Sequence, residues 1–187
     1  MKRAKDVTAR ARRVRLVVLD VDGVLTDGRM VLTERGDELK FFHTHDGMAV
    51  NLARRSGLAV ALVTGEKSTI AQARGVKLGI EDIVLGARRK GETLESLMTK
   101  HGLTPQEVAF MGDDLLDIPA LQRAGLAVAP ANAVPEARAV AHVVTKASGG
   151  AGAVREAIEL IMRAQGLWTK AVRAFVLESG GLDRPWK

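Results

Sequence analysis

Cysteine and tyrosine are absent from the 187 residues, and the aromatics come to four phenylalanines and two tryptophans. Without thiols there is no disulfide framework, zinc–thiolate centre, iron–sulfur cluster or cysteine nucleophile. The shortage of aromatics removes the platforms on which unpaired bases stack, so nucleic acid is not the expected partner. Long apolar runs are missing too. Leu16–Leu19 and Gly57–Val63 end in polar residues, far short of the roughly 20 residues that span a bilayer. The basic start, Lys2-Arg3-Ala4-Lys5-Asp6, is not followed by an apolar signal core, which points to a cytoplasmic protein without a membrane partner.

What remains is a globular chain with 47% hydrophobic residues and a charge of +6, from 28 Lys and Arg against 22 Asp and Glu. Its length suits one domain with short appendages, and its core must be aliphatic. Residues 1–15 carry seven Lys and Arg and read as a solvated basic arm. Residues 16–166 read as the domain, and 167–187 as a C-terminal helix or tail containing Trp168, Phe175, Arg184 and Trp186.

Continuous aliphatic runs at Leu16–Leu19, Ala59–Val63, Val108–Met111 and Leu126–Ala129 suit strands buried on both faces. Ile83–Leu85 and His142–Val144 are shorter candidates. Helical patterns fall between them, at Gly47–Ser56, Ser68–Leu78, Gly91–His101 and Leu115–Arg123, with Gly152–Gln165 and Thr169–Glu178 after the last strand. This alternation predicts an α/β fold, a Rossmann-like doubly wound parallel sheet with helices on both faces. One region departs from it. Arg29–Thr33 and Glu38–His43, joined through Glu34-Arg35-Gly36-Asp37, predict a β-hairpin at about 28–43. A hairpin exposing Met30, Leu32 and Phe42 is marginal alone, so it is expected to pack on another subunit.

The chemistry concentrates where strands end. Asp20 and Asp22 follow the first strand, and at i and i+2 they point the same way. Two carboxylates so close resist joint ionisation unless a cation lies between them or one keeps its proton. A turn that uses aspartate twice is the plainer alternative. Met111-Gly112-Asp113-Asp114-Leu115-Leu116-Asp117 brings three further carboxylates to the same edge, although Asp113 or Asp114 would also serve as a helix cap. An all-oxygen donor set points to a hard cation, Mg²⁺ first. Thr64-Gly65 ends the strand Ala59–Val63 and offers a hydroxyl and backbone N–H groups to a phosphoryl oxygen. Lys90 opens a helix, either as an ammonium among these carboxylates or as a surface lysine beside Arg88 and Arg89.

The segment Asp20-Val21-Asp22-Gly23-Val24-Leu25-Thr26-Asp27-Gly28, with Thr64-Gly65, Lys90 and Gly112-Asp113-Asp114-x-x-Asp117, resembles the four motifs of the haloacid dehalogenase-like phosphatases. The hairpin, the lack of a large cap and Gly149-Gly150-Ala151-Gly152-Ala153-Val154-Arg155-Glu156 narrow the resemblance. They are similar to the capless 3-deoxy-D-manno-octulosonate 8-phosphate phosphatases, which are described as Mg²⁺-dependent homotetramers. The resemblance implies Asp20 as nucleophile and Asp22 as general acid and base, with Thr64 and Lys90 holding the phosphoryl group. It implies Mg²⁺ on Asp20, the backbone carbonyl of Asp22, and Asp113, with Asp114 and Asp117 orienting the metal shell and Lys90.

Two departures concern the substrate. Gly65-Glu66-Lys67-Ser68 stands where the octulosonate enzymes typically have Gly-Arg-Lys-Ser, and His45-Asp46-Gly47 where they tend to have Arg before Asp-Gly. An arginine grips a sugar carboxylate, whereas Glu66 repels it. Glu66 with Lys77 is similar instead to the phosphatases of nine-carbon sialic-type acids, such as ketodeoxynononate 9-phosphate. Glu66 as a plain helix start and Lys77 as a solvated residue is the alternative. His45, Asp46, Gly65, Glu66, Lys67 and Lys77 therefore join Thr64 and Lys90 as candidate contacts for an acidic eight- or nine-carbon sugar phosphate. Rival functions are hydrolysis of another small sugar phosphate, a phospho-aspartate receiver-like domain, or a non-catalytic partner domain. Asp22 beside Asp20, and the second acid cluster, argue against the receiver.

Overall fold

The computed structural model describes residues 2–182, and the expected tail residues Arg184 and Trp186 lie outside them. Six parallel strands form the central sheet: β1 (Leu16–Leu19), β4 (Ala59–Val63), β5 (Asp82–Val84), β6 (Val108–Met111), β7 (Leu126–Ala129) and β8 (Val143–Val144), in the order β5-β4-β1-β6-β7-β8. The chain builds outward from β1 through β4 to β5, then returns to the other side of β1 to lay down β6, β7 and β8. This reversal places a crevice at the carboxyl ends of β1 and β6, where open α/β sheets receive ligands. The register is in phase there, since Leu19 pairs with both Leu62 and Met111. Residues following β1, β4 and β6 therefore emerge side by side.

Alternate side chains of these aliphatic strands serve two cores. Val17, Leu19, Leu62, Met111 and Val128 face one layer, and Leu16, Val18, Val63, Phe110 and Ala127 face the other. The first layer is built from α1 (Lys2–Ala11), α2 (Thr44–Arg55), α3 (Thr69–Lys77), α7 (Ala153–Ala164) and α8 (Trp168–Glu178). The second contains α4 (Lys90–His101), α5 (Ile118–Arg123) and α6 (Pro135–Val140). Among the described residues no helix is long and apolar enough to cross a membrane.

Local signals explain most boundaries. Ser68 caps α3 by accepting a hydrogen bond from the Ala71 amide at 3.3 Å, as its hydroxyl suits. Gly102, at φ 62°, ends α4 in the left-handed conformation that glycine tolerates. The six-residue α6 gives no sequence signal, because a turn and a half is too short for an apolar stripe to declare itself. The expected helix over Leu115–Arg123 is divided into a 3₁₀ turn at Leu115–Asp117 and α5.

Described residues on either side of the central domain pack against it. Ala11 and Val14 are buried in the first core, and Arg10 donates to the Gly125 carbonyl at 2.7 Å. Trp168 is buried, flanked by the guanidinium groups of Arg155 and Arg163. The hairpin is shorter than expected, pairing only β2 (Val31–Leu32) with β3 (Glu38–Leu39). Its Met30, Leu32, Leu39 and Phe41 are exposed.

Asp46 is fully buried in the first turn of α2, at the amino end of α7. Its carboxylate accepts hydrogen bonds from the Arg155 amide at 2.7 Å and the Gly152 amide at 3.3 Å. These are orphan donors of a helix start, where negative charge is favoured. Replacing Asp46 by alanine strands these amides and should cost about 1–3 kcal/mol, read as a lower urea midpoint at unchanged m-value. A variant of undiminished stability with impaired turnover would instead seat this carboxylate at a ligand.

Candidate active site

The loop after β1 turns back at once. The amides of Leu25 and Thr26 donate to the Val21 carbonyl at 2.9 and 3.0 Å, and Gly23 takes φ +86°. A Cβ at Gly23 would collide with the Asp113 carboxylate, so this glycine lets the two acidic loops approach. The Gly149-Gly150 segment closes over the same turn. The Gly150 amide donates to the Val24 carbonyl at 3.1 Å, and a Cβ at Gly149 would strike the Gly23 carbonyl. Asn132 clasps the two loops, donating to the Gly23 carbonyl at 3.2 Å and accepting from the Gly149 amide at 2.7 Å.

An open cleft of about 230 Å³ results, lined by Asp20, Asp22, Gly28, Thr64, Gly65, Glu66, Lys90, Asp113, Asp114, Leu116 and Asp117. A larger cleft, about 360 Å³, lies at the opposite edge of the sheet among Arg12, Arg15, Ser56, His101 and Gln165. It gathers no comparable carboxylate set.

Lys90 is the centre of the charged network. Its Nζ lies 2.8 Å from Asp20 Oδ1 and 2.6 Å from Asp117 Oδ1, with its side chain only 3% exposed. Burial alone would depress the lysine pKa, but the two carboxylates overcome that and hold it above its ordinary value. Asp117 is also fully occupied on its other oxygen, which accepts from the amides of Asp113 at 2.9 Å and Asp114 at 3.1 Å. It braces the loop as well as Lys90. Asp114 is exposed, and its Oδ1 accepts from the Leu115 amide at 2.7 Å, capping the 3₁₀ turn. The Thr64 hydroxyl is buried and accepts from the Glu66 amide at 3.1 Å.

Two oxygens in this cluster have no partner: Asp22 Oδ2 and Asp113 Oδ1 are buried and unbonded. Ligand oxygens of Asp20, Asp113 and Asp117 lie within 4.8 Å of one another. Buried anionic oxygens left unsatisfied are costly. An all-carboxylate set of this kind fits Mg²⁺. Without a cation, Asp20 is pushed up to about 8, first by burial and then by Asp117. Asp113 is pushed up to about 7 by burial and the Asp117 and Asp114 carboxylates.

The candidate substrate contacts divide. Thr64, Gly65, Glu66 and Lys90 line the cleft, whereas His45, Asp46, Lys67 and Lys77 are not among its lining residues. Lys67 is exposed and lays its stem along Gly86, and Lys77 is exposed on α3. His45 is exposed, its ring edge-on to His43. Sequence reasoning passed over Lys40, whose Nζ lies 2.6 Å from Asp22 Oδ1 and 2.7 Å from Glu38 Oε1. Alternation along the hairpin puts Glu38 and Lys40 on one face, but nothing local shows which surface that face meets.

Comparison with known proteins is consistent with this geometry. Residues 65–158 match the haloacid dehalogenase-like hydrolase family. The 3-deoxy-D-manno-octulosonate 8-phosphate phosphatase of Escherichia coli K12 is 42% identical over 161 residues, 86% of each chain. A probable phosphatase from Pseudomonas syringae superposes with TM-score 0.89 at 41% identity, covering 92% of this chain and 98% of its own. The 3-deoxy-D-manno-octulosonate 8-phosphate phosphatase of Moraxella catarrhalis, solved with magnesium, phosphate and the sugar acid, superposes with TM-score 0.89 at 34% identity, covering 91% and 98%.

The raised carboxylates have a measurable consequence. An unfolded chain releases these protons near 3.8, but the folded chain holds them to about 7 at Asp113 and about 8 at Asp20. The folded state therefore carries more protons across that window, and these groups lose stability for the metal-free protein as pH rises through it. Thermal melting in chelator should show this decline. Added Mg²⁺ should raise the melting temperature most at the alkaline end, and a Mg²⁺ effect independent of pH would contradict the assignment.

Proposed function

We propose, from the premise that this chain belongs to the haloacid dehalogenase-like hydrolases, that it is a Mg²⁺-dependent phosphomonoesterase acting on 3-deoxy-D-manno-octulosonate 8-phosphate. The observation that carries the reading is the cleft at the β1–β6 crevice. It joins Asp20, Asp22, Thr64, Lys90 and Asp113 in a relative of enzymes named for that activity. Their substrate is an anion, and a cleft crowded with carboxylates can admit it only with compensating positive charge. Asp20, Asp113 and the backbone carbonyl of Asp22 would hold the Mg²⁺, braced by Asp114 and Asp117. When bound, the ion neutralises charge between the nucleophile and the phosphoryl oxygens.

The chain's own residues then divide the work. The Asp20 carboxylate attacks phosphorus as the bond from phosphorus to the sugar oxygen breaks. Asp22 gives its proton to that departing oxygen. In the second half, Asp22 takes a proton from water as the water oxygen attacks the aspartyl phosphate. The bond between Asp20 and phosphorus breaks, freeing phosphate and restoring both carboxyl groups. Lys90 orients Asp20 and faces the transferring group, and the Thr64 hydroxyl and neighbouring amides receive phosphoryl oxygens.

Glu66 supports a second reading, in which the preferred substrate is a nine-carbon acid. It is exposed in the cleft wall, where a carboxylate disfavours an approaching sugar carboxylate. The reading also includes a homotetramer in the cytoplasm. The exposed apolar side chains of the hairpin support a neighbouring subunit, and Lys77, outside the chain's own cleft, could contribute only to a neighbour's.

Phosphate release from a panel of eight- and nine-carbon ulosonate phosphates, with Mg²⁺ and with chelator, tests this directly. Turnover of the eight-carbon ester only with Mg²⁺ is expected, and equal turnover in chelator refutes the reading. Asp20→Asn should lower kcat by about 10⁴-fold or more while the protein stays folded. Retained turnover would remove Asp20 as nucleophile. Glu66→Arg should shift the kcat/KM ratio towards the eight-carbon acid, and an unchanged ratio would eliminate Glu66 as a selector.

A further inference from the structure

The hairpin reaches the catalytic edge of its own chain through one side chain. Glu38 and Lys40 are two residues apart in extended chain and share a face, while Leu39 between them points away and is exposed. From that face the Lys40 side chain turns inward. The Lys40 side chain is 1% exposed, with its Nζ between Asp22 Oδ1 at 2.6 Å and Glu38 Oε1 at 2.7 Å. Met30 Sδ lies 4.0 Å from the same nitrogen. The second Glu38 oxygen accepts from the Ser68 hydroxyl at 3.3 Å, and Ser68 caps α3. A continuous chain of polar contacts thus runs from the loop after β1, through the base of the hairpin, to the loop after β4.

The asymmetry at Asp22 is the informative feature. Oδ1 is held by an ammonium, whereas Oδ2 is buried without any partner. A carboxylate on a short side chain can rotate about its terminal bond, exchanging its two oxygens. A charge-assisted bond of 2.6 Å to a covered lysine stops that rotation. Lys40 is itself held by Glu38, so it cannot follow Asp22 out of place. Lys90 cannot take over this role, since its Nζ is engaged by Asp20 and Asp117.

We infer that Lys40 is a positioning residue for proton transfer, clamping the Asp22 carboxylate through Oδ1 in the one orientation from which it serves the leaving oxygen and then water. The inference rests on Asp22 acting as acid and base in the proposed phosphomonoesterase. It gives the hairpin a function within its own subunit, in addition to any contact its exposed apolar side chains make with a neighbour. Lys40 touches neither of the reacting oxygens; it acts through Asp22.

A double-mutant cycle tests it in the full-length Mg²⁺-loaded protein. Lys40→Met should lower kcat for the octulosonate phosphate by about 10²-fold, the scale of a lost alignment, with KM changed much less. In the Asp22→Asn background the same substitution should change kcat by less than about threefold, because the group it positions is already gone. The loss should also be smaller with p-nitrophenyl phosphate, whose leaving group needs little protonation. An equal fold-loss in both backgrounds overturns the inference, as does a raised KM at unchanged kcat, which would mean that Lys40 contacts the substrate itself. Melting temperatures accompany each variant, and if Lys40→Met unfolds, Lys40→Gln runs the same cycle under the same criteria. If the wild type ignores the octulosonate ester, the substrate reading fails alone, and the cycle is completed on p-nitrophenyl phosphate. If Asp22→Asn keeps full activity on both esters, the acid–base role of Asp22 fails and the inference with it.

Discussion

Five aspartates drawn to one sheet edge would repel one another, and the buried ammonium of Lys90 is what makes that gathering tolerable. It contacts Asp20 and Asp117 together, and Asp117 in turn holds the amides that open the Asp113 loop. Removing one partner from such a buried network leaves charge without compensation, which is far costlier than losing a surface ion pair. Lys90 still does not balance the site. Asp20 and Asp113 remain raised, and two carboxylate oxygens have no partner. The folded chain is therefore built with a deficit of positive charge that suits a divalent cation and an anionic substrate bound together.

The sheet makes this concentration of charge possible. Because the strand order reverses beside β1, the carboxyl ends of β1 and β6 are adjacent. In-phase pairing at Leu19, Leu62 and Met111 brings Asp20, Thr64 and the Asp113 loop forward to the same depth. Two aliphatic cores beneath supply the stability that the polar edge forgoes. Glycines at 23, 149 and 150 are needed for a related reason, since the loops around the cleft approach closely enough to exclude side chains.

The hairpin combines two different surfaces. One is apolar and open to solvent, with Met30, Leu32, Leu39 and Phe41 exposed. The other buries Lys40 against Asp22 and Glu38. In this chain a two-stranded excursion reaches the loop after β1 directly. The same structural element thus links intrachain geometry at Asp22 to whatever covers the outer face.

Much of the site could be read from the chain because it depends on local facts. Aliphatic runs marked four of the six strands and two shorter runs the others, and acidic, hydroxyl and lysine residues at their ends singled out Asp20, Asp22, Thr64, Lys90 and Asp113, which line one cleft. Other features depended on partners distant in sequence. Asp46, read as a candidate substrate contact, caps a helix more than a hundred residues away, and no local pattern distinguishes a cap from a ligand there. Lys40 carries no local signal of its own, and only folding places it beside Asp22. Asp117 turned out to be fully committed to Lys90 and two amides, a fact that spacing cannot express. Residue type and periodicity determined which chemistry the chain could assemble and on what kind of sheet. Which carboxylate oxygens are occupied, and which are left free to react, was decided only by the packing of loops from β1, β6 and the hairpin around a single edge, because hydrogen-bond partnership is a property of three-dimensional contact.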